Sequence, residues 1–333
     1  MKKWIIIILV LIIILAAVSL LSFFIGAADI NIPSIFRVIV GGEGSLEYSV
    51  LFQIRLPRIL MGFAIGGALS LAGALLQGMF RNPLVEPYTL GLSGGALLGV
   101  CLNMLFGLNK SLGFMSLPVA GFAGSFIILL VIYSLSIKKG IIKINGLLLT
   151  GVMISYVSSS AIMLIMAIAR LEELQGIVFW MMGSLEESDR TVIILTVAVS
   201  AFGLITSYFF CHKLNALALG EEEAMHLGVN VESTKRFLFI IASILTGMSV
   251  SVAGLIGFVG LLVPHLIRMF IGGDHRILLI ASYISGAAFL IFCDLLARTI
   301  SSSSELPVGV ITGIVGGTFF VYAMSKRSIQ WTK

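Results

Sequence analysis

Charge is scarce in this 333-residue sequence: Asp, Glu, Lys and Arg together make up 11% of it, against 59% hydrophobic residues. That balance places it among polytopic membrane proteins. Cysteine is scarce as well. Cys101, Cys211 and Cys293 are odd in number, lie in or beside apolar runs and lack metal-ligand spacing, so they read as small core residues. The motifs of self-powered or catalytic chains are missing. There is no Gly-x4-Gly-Lys-Ser/Thr loop, no His-Glu-x-x-His, no paired aspartates and no nucleophile elbow, which argues against ATP hydrolysis by this chain and against an intramembrane enzyme. The sixteen acidic residues fall at or near the ends of apolar runs. A proton-coupled pump would place a carboxylate or histidine pair in mid-membrane, and none is there. His265, behind Pro264, reads as structural, and His212, His226 and His275 form no cluster. No charged or low-complexity block of domain size interrupts the chain, so residues 1–333 read as one integral membrane domain.

What is present is a series of apolar runs. Lys2-Lys3 precede a run from Trp4 to Phe24 that is too long for a signal-peptide core and about the ~20 residues that span a bilayer, so it is expected to be a retained first helix. Gly26 to Ile54, with Pro33, Gly41, Gly42 and Gly44, is too polar to span. Nine further runs follow: Ile59–Met79, Thr89–Phe106, Leu117–Leu135, Leu147–Ile168, Val192–Phe210, Phe237–Leu255, Gly257–Ile271, Leu278–Leu296 and Val308–Ala323. The stretch from Phe237 to Ile271 is far too long for one crossing, and Gly254, Gly257, Gly260 and Pro264 break it into two. The expected fold is all-α, with ten transmembrane helices.

Charge placement agrees with that count. With the N-terminus inside, all but Arg37, Arg55, Arg58, Lys110, Arg170, Arg190 and Arg298 of the 21 basic residues fall on inner segments, and both termini are cytoplasmic. The pI near 9.2 follows from this bias and does not call for nucleic acid. Trp4 and Trp331 then lie near the inner interface and Trp180 near the outer one. Gly66-x3-Ser70-x-Ala72-Gly73 with Pro83 recurs as Gly247-x3-Ser251-x-Ala253-Gly254 with Pro264, every position offset by 181 residues. The second copy starts five spans later and so lies inverted, a weak inverted repeat of the kind transporters use. Gly66, Gly67, Gly73, Gly91, Gly94, Gly95 and Gly99 are small residues that let helix backbones approach, which suits a compact bundle rather than a wide pore.

Two polar features stand out against this background. Leu217-Ala-Leu-Gly-Glu-Glu-Glu-Ala-Met-His-Leu-Gly-Val-Asn230 is a short polar helix closed by Gly220 and Gly228, with Glu221, Glu222 and Glu223 in its first turn, where the helix dipole favours negative charge. It cannot enter lipid. Either it is a solvated connection, or it seats a soluble partner through residues such as Met225 and Leu227. At the other face, Arg55-Leu-Pro-Arg58 opens the second span and Arg298 closes the ninth, four residues after Asp294 on the same helix face. Arginines so placed anchor helix ends at head groups. They also suit the carboxylates of an extracellular partner.

The sequence resembles the FecCD-type permeases. The resemblance rests on Arg55-Leu-Pro-Arg58, Ser70-Leu-Ala-Gly-Ala-Leu-Leu-Gln77, Arg81-Asn-Pro-Leu-Val-Glu-Pro87 and Leu90-Gly-Leu-Ser-Gly-Gly95. It continues through Trp180-Met-Met-Gly-Ser-Leu185, Leu219-Gly-Glu-Glu-Glu-Ala224, Gly257-Phe-Val-Gly-Leu-Leu-Val-Pro-His265, Gly273-Asp-His-Arg276 and Glu305-Leu-Pro-Val-Gly309. These permeases are the membrane subunits of ABC importers for iron–siderophore complexes, haem and cobalamin. The resemblance implies a dimer of ten-helix subunits, the same or paralogous, in the cell membrane with the pathway between them. Two cytoplasmic ATPase subunits and an extracytoplasmic binding protein complete the expected assembly, and no cofactor is expected. It also implies roles for residues. Leu219, Gly220, Glu221, Glu222, Glu223, Ala224, Leu227 and Gly228, within a loop of about 213–236, match the family's coupling helices. Arg55, Arg58 and Arg298 match positions that meet glutamates of the binding protein. Asn82, Pro83 and Leu84, with Asn145, Gly146 and Leu147 in the Ile144–Leu148 entry to the fifth span, match the cytoplasmic gate.

Pro83 and Pro87 independently require a bend between the second and third spans. Thr150, Ser155 and Ser158 to Ser160 give the fifth span a mildly polar surface, suited to a weakly binding pathway wall. Two other classes share some of these features: a secondary transporter driven by an ion gradient, and a passive channel or structural membrane component. Neither would depend on a partner ATPase.

Overall fold

The computed structural model describes residues 2–26, 46–113, 115–138, 141–142, 144–187, 189–300 and 305–326. Most of the Gly26–Ile54 segment, including Pro33, Arg37, Gly41, Gly42 and Gly44, lies outside them, as do Lys139, Lys143, Arg327 and Trp331. The longer helices, in order, are α1 (Lys2–Phe24), α2 (Leu56–Phe80), α3 (Leu92–Leu105), α4 (Ser116–Ser136), α5 (Ile144–Ile168), α6 (Leu171–Met181), α7 (Arg190–Tyr208), α8 (Cys211–Leu219), α9 (Glu221–His226), α10 (Val231–Ala253), α11 (Val259–Ile271), α12 (His275–Thr299) and α13 (Val308–Lys326). Among the described residues the fold is helical apart from a two-residue antiparallel ladder pairing Ile137–Lys138 with Ile141–Ile142.

Each of the ten apolar runs falls on one of these helices. Seven are long and apolar enough to cross a membrane: α1, α2, α4, α5, α7, α10 and α12. The apolar helices α3 and α11, of 14 and 13 residues, are about 20 Å long and fall short of a ~30 Å hydrocarbon layer without the adjoining chain. The second run also begins earlier than its hydropathy indicates. Leu46–Tyr48 and a π-helical turn over Ser49–Arg55 lead into α2 without a break, so this part of the segment read as too polar is helical. Tyr48 stacks on Phe52 at 4.9 Å, and Phe52 meets Phe23 of α1 at 5.9 Å, which gives the extension its packing.

The core sits around α2. From Met61 to Phe80 nearly every residue of α2 is buried, enclosed by α7, α10, α11 and α12. Close approach explains its glycines. A Cβ on Gly66 would overlap the Gly286 carbonyl oxygen of α12, and a Cβ on Gly286 would overlap that of Gly66. Gly95 and Gly99 of α3 meet Gly124 and Ala120 of α4 in the same way. With no water to compete, hydroxyls add cross-helix bonds. Ser70 Oγ donates to the Ser282 carbonyl (2.8 Å), and Ser200 Oγ donates to that of Ala64 (2.7 Å) while lying 2.8 Å from Tyr283 Oη.

The long stretch from Phe237 to Ile271 is broken where its glycines require. Gly254 ends α10 with φ +72°, and a Cβ there would overlap the Trp180 carbonyl oxygen. The chain runs non-helically to Phe258, itself at φ +67°, before α11 begins. Both copies of the short repeat thus fall on long buried helices, α2 and α10. Their last glycines differ: Gly73 is helical and Gly254 terminates its helix. Pro83 lies in the bend after α2, whereas Pro264 sits inside α11.

One helix fixes the two ends of the molecule. α12 is 25 residues long, about 37 Å. His275 at its start meets Asn215 of α8, and Arg298 at its finish meets Ser22 of α1. α1 runs parallel beside it, with the Arg276 guanidinium 4.9 Å from the Trp4 ring centroid. The start of α1 and the α8–α9 segment therefore share one end, and the three arginines occupy the other.

Candidate functional site

At the arginine end the structure brings Arg55, Arg58 and Arg298 together, as their spacing implies, but turns all three inward. Arg55 Nη1 donates to the carbonyls of Phe23 (2.9 Å) and Phe24 (2.8 Å), which the end of α1 leaves without helical partners. Arg298 Nε donates to Asp294 Oδ2 (2.9 Å), the pairing expected from their four-residue spacing, and its Nη2 donates to Ser22 Oγ (2.6 Å). Arg58 is gripped by Glu186 and Glu305, with Asp294 Oδ1 3.9 Å away. Burial penalises the charge on Glu305, yet Arg58 holds its carboxyl below the ordinary glutamate range. The sequence shows no acidic cluster beside Arg55 and Arg58, but in the fold two glutamates meet Arg58. Glu186 and Glu305 are 128 and 247 residues from Arg58 in sequence, so local inspection does not pair them.

At the opposite end, α9 is the polar helix read from the sequence. Gly220 (φ +138°) enters it, Leu227 caps it, and Gly228 (φ +80°) turns the chain so that the Val229 N–H donates to the Ala224 carbonyl (2.9 Å). Ala224 is buried and anchors the helix. Leu219, Met225 and Leu227 are 66%, 56% and 65% exposed, an apolar patch beside Glu222 and Glu223. Glu221 is different: its carboxylate pairs at 2.5 Å with Lys235, whose side chain is buried. α8 was not anticipated. It supports the site from below, because Asn215 donates to Asp274 (2.9 Å) and accepts from the His275 N–H (2.8 Å), tying α8 to the start of α12.

The bend Arg81–Gly91 begins at this same end, where Gly78 of α2 lies against His275 and Leu214 and Arg81 reaches Gly220. Arg81 leaves α2 in a left-handed conformation (φ 52°), and the Leu84 N–H donates to Asn82 Oδ1 (3.0 Å). A short 3-10 turn over Pro87–Leu90 then leads to Gly91 (φ +78°) and α3. The bend packs on the entry to α5, where a Cβ on Gly151 would press on Leu90. Of the residues matched to a gate, Asn82 and Leu84 are exposed and Pro83 is half-buried. Leu147, 1% exposed, packs into the core, Gly146 is half-buried, and Asn145 contributes its backbone to α5.

A family model, that of the FecCD transport family, matches residues 9–326. The chain belongs to the FecCD transport family. It is 39% identical over 285 residues to the hemin transport system permease protein HmuU of Yersinia pestis, covering 85% of each chain. It is 37% identical over 314 residues to the Fe(3+) dicitrate transport system permease protein FecD of Escherichia coli, covering 94% of this chain and 96% of the relative. Among solved structures it is similar, with a TM-score of 0.86 and 30% identity, to an inward-facing ABC transporter described as of the metal-chelate type, over 96% of this chain and 99% of that one.

Within this FecCD chain the residues that sequence reasoning missed lie next to those it found. Glu305 opens the Glu305-Leu-Pro-Val-Gly309 motif, and Glu186 follows the Trp180–Leu185 motif directly. Both carry signals of position, but neither names Arg58 as a partner.

Proposed function

We propose that this chain is the permease subunit of an ABC importer that carries an iron chelate into a bacterial cell. An iron–siderophore complex is the leading cargo, and haem or cobalamin are alternatives. The reading rests on membership of the FecCD family and on relatives named for hemin and Fe(3+) dicitrate transport. The observation that carries it is α9: an exposed patch of Leu219, Met225 and Leu227 flanked by Glu222 and Glu223, set on a buried alanine at the end where α1 begins. Such a surface suits a groove on a cytoplasmic ATPase subunit, which would supply the ATP hydrolysis that this chain's sequence does not provide for. In this arrangement both termini are cytoplasmic, and α3, α11 and α13 complete ten crossings. The pathway lies between two permease subunits. A binding protein docks at the arginine end, and its carboxylates compete with Glu186 and Glu305 for Arg58. The bend at Asn82–Leu84 and the start of α5 narrow the pathway on the cytoplasmic side.

The test is reconstitution of the permease with its genomically adjacent ATPase and binding protein in proteoliposomes. Uptake of a labelled ferric chelate should require ATP and the binding protein, and should persist after ionophores collapse all ion gradients. Uptake that follows an ion gradient without ATP would assign the chain to secondary transport instead.

A further inference from the structure

The chain between α10 and α11, Gly254 to Phe258, runs non-helically between two apolar helices. Backbone N–H groups there cannot turn to water and need partners from elsewhere in the bundle. Two of them are met by side chains of the bend. The Ile256 N–H donates to Tyr88 Oη at 3.0 Å, and the Phe258 N–H donates to Glu86 Oε1 at 2.9 Å.

Glu86 has no other evident employment. Among the described residues no lysine or arginine lies within ion-pair distance of it, although it is a carboxylate set among packed helices. It meets the N-terminal end of α11, where the helix dipole favours a negative group. Its partner residue is conformationally unusual. Phe258 holds φ +67° without being glycine, a state that persists only where its surroundings impose it. Those surroundings come from three elements. Glu86 comes from the bend, the Phe258 side chain packs over Gly316 and Gly317 of α13, and Gln77 of α2 donates to the carbonyls of Gly260 (3.2 Å) and Leu261 (3.1 Å) at the first turn of α11. The Pro87 ring leaves no room for a Cβ on Gly260.

We infer that Glu86 and Tyr88 are positioning residues for transport, tethering the bend that carries Asn82–Leu84 to the unwound start of α11 so that the two move as one body. A shift of α11 relative to α2 would then displace Leu84 directly. This inference rests on the proposed transport function for its consequence, but the tether itself can be read without it.

Two measurements separate the two levels. Hydrogen exchange on the purified permease reads the amides of Ile256 and Phe258 in wild type, Glu86→Ala, Glu86→Gln and Tyr88→Phe. Loss of one hydrogen bond should speed exchange at Phe258 in Glu86→Ala, and at Ile256 in Tyr88→Phe, by about five- to tenfold. Glu86→Gln, which keeps an acceptor oxygen, should stay near wild type. Unchanged exchange in both loss variants would overturn the tether. In the full complex, spin labels on a Leu84→Cys background should report a nucleotide-dependent distance that the loss variants broaden or abolish. Substrate moved per ATP should fall in those variants while binding-protein-stimulated ATPase activity persists. A wild-type distance response and coupling ratio in Tyr88→Phe, the mildest change, would overturn the positioning role even if Glu86→Ala failed to assemble. A wild-type complex that imports no ferric chelate would instead count against the proposed cargo and leave the exchange result standing.

Discussion

At the scale of single residues the bundle is set by what is small and by what is paired. A Cβ on Gly73 would overlap the Gly260 carbonyl oxygen, a backbone atom that cannot rotate aside. Gly73→Ala is therefore expected to cost about 1–3 kcal/mol through a forced shift of α11. Gly313→Ala on α13, where a Cβ meets nothing within 4 Å, should be neutral or stabilising by up to ~1 kcal/mol. Thermal unfolding in detergent checks both. Arg298 poses the converse case, because its removal leaves buried Asp294 to the more distant Arg58, 3.9 Å away, and takes the partner of Ser22. Arg298→Ala should lose about 3–5 kcal/mol, and Asp294→Asn in the same chain should restore part of it, since the poorly compensated charge is then gone. If the double variant were no more stable than the single, the loss would lie in packing rather than charge. The spacing of the glycines was enough to foresee close backbones, and the four-residue interval was enough to foresee the Asp294–Arg298 pair. The inward turn of Arg55 and Arg58 was not legible. Their partners, the α1 carbonyls, Glu186 and Glu305, are brought in by tertiary structure from far along the chain.

At the scale of elements, hydropathy located every long helix because lipid-facing segments must be continuously apolar. It could not show α6 and α8, which are short and lie beside the spans, or the helical extension from Ser49. α9 was legible for a different reason: three glutamates between two glycines are compatible with little else. Its residues are not equivalent, however. Glu222→Lys with Glu223→Lys alters an exposed surface and should change stability by less than about 0.5 kcal/mol while abolishing co-purification with the ATPase. Glu221→Lys sets a second cation against buried Lys235 and should destabilise by about 3 kcal/mol or more. Retained ATPase association in the double variant would remove α9 from the docking surface.

The start of α12 offers a pH test. Asp274 caps it, accepting from the Arg276 N–H at 3.0 Å and from the Arg276 guanidinium. That guanidinium and Asn215 hold its carboxyl well below the usual aspartate range, though partial burial opposes them. A depressed folded-state pKa contributes stability above the unfolded value and loses it as pH falls toward the folded one. The stability difference between wild type and Asp274→Asn should thus be constant above about pH 5 and shrink below about pH 4. A difference that shrank between pH 7 and 5 would point to another group.

At the scale of the molecule, two long buried helices, α2 and α10, each lead through irregular chain into a short one, α3 and α11. Short or interrupted helices in corresponding positions of two halves are where transporters place their moving parts. The bend after α2 is the one that exposes a hydrophobic side chain: Leu84 is 44% exposed, whereas Leu147 is packed into the core. In the proposed dimer, Leu84 would face the second subunit, and across a two-fold axis it would meet its own copy. Leu84→Cys in both subunits of the assembled transporter should form a disulfide whose yield depends on the nucleotide state of the ATPases. Locking it should stop import while the binding protein still docks, because the proposed docking face is the arginine end, separated by the ~37 Å length of α12. Reduction should restore transport. A crosslink indifferent to nucleotide, or a locked pair that still imports, would place the constriction away from this bend and on the mildly polar face of α5, where Ser155 already spends its hydroxyl on the Gly151 carbonyl at 2.9 Å.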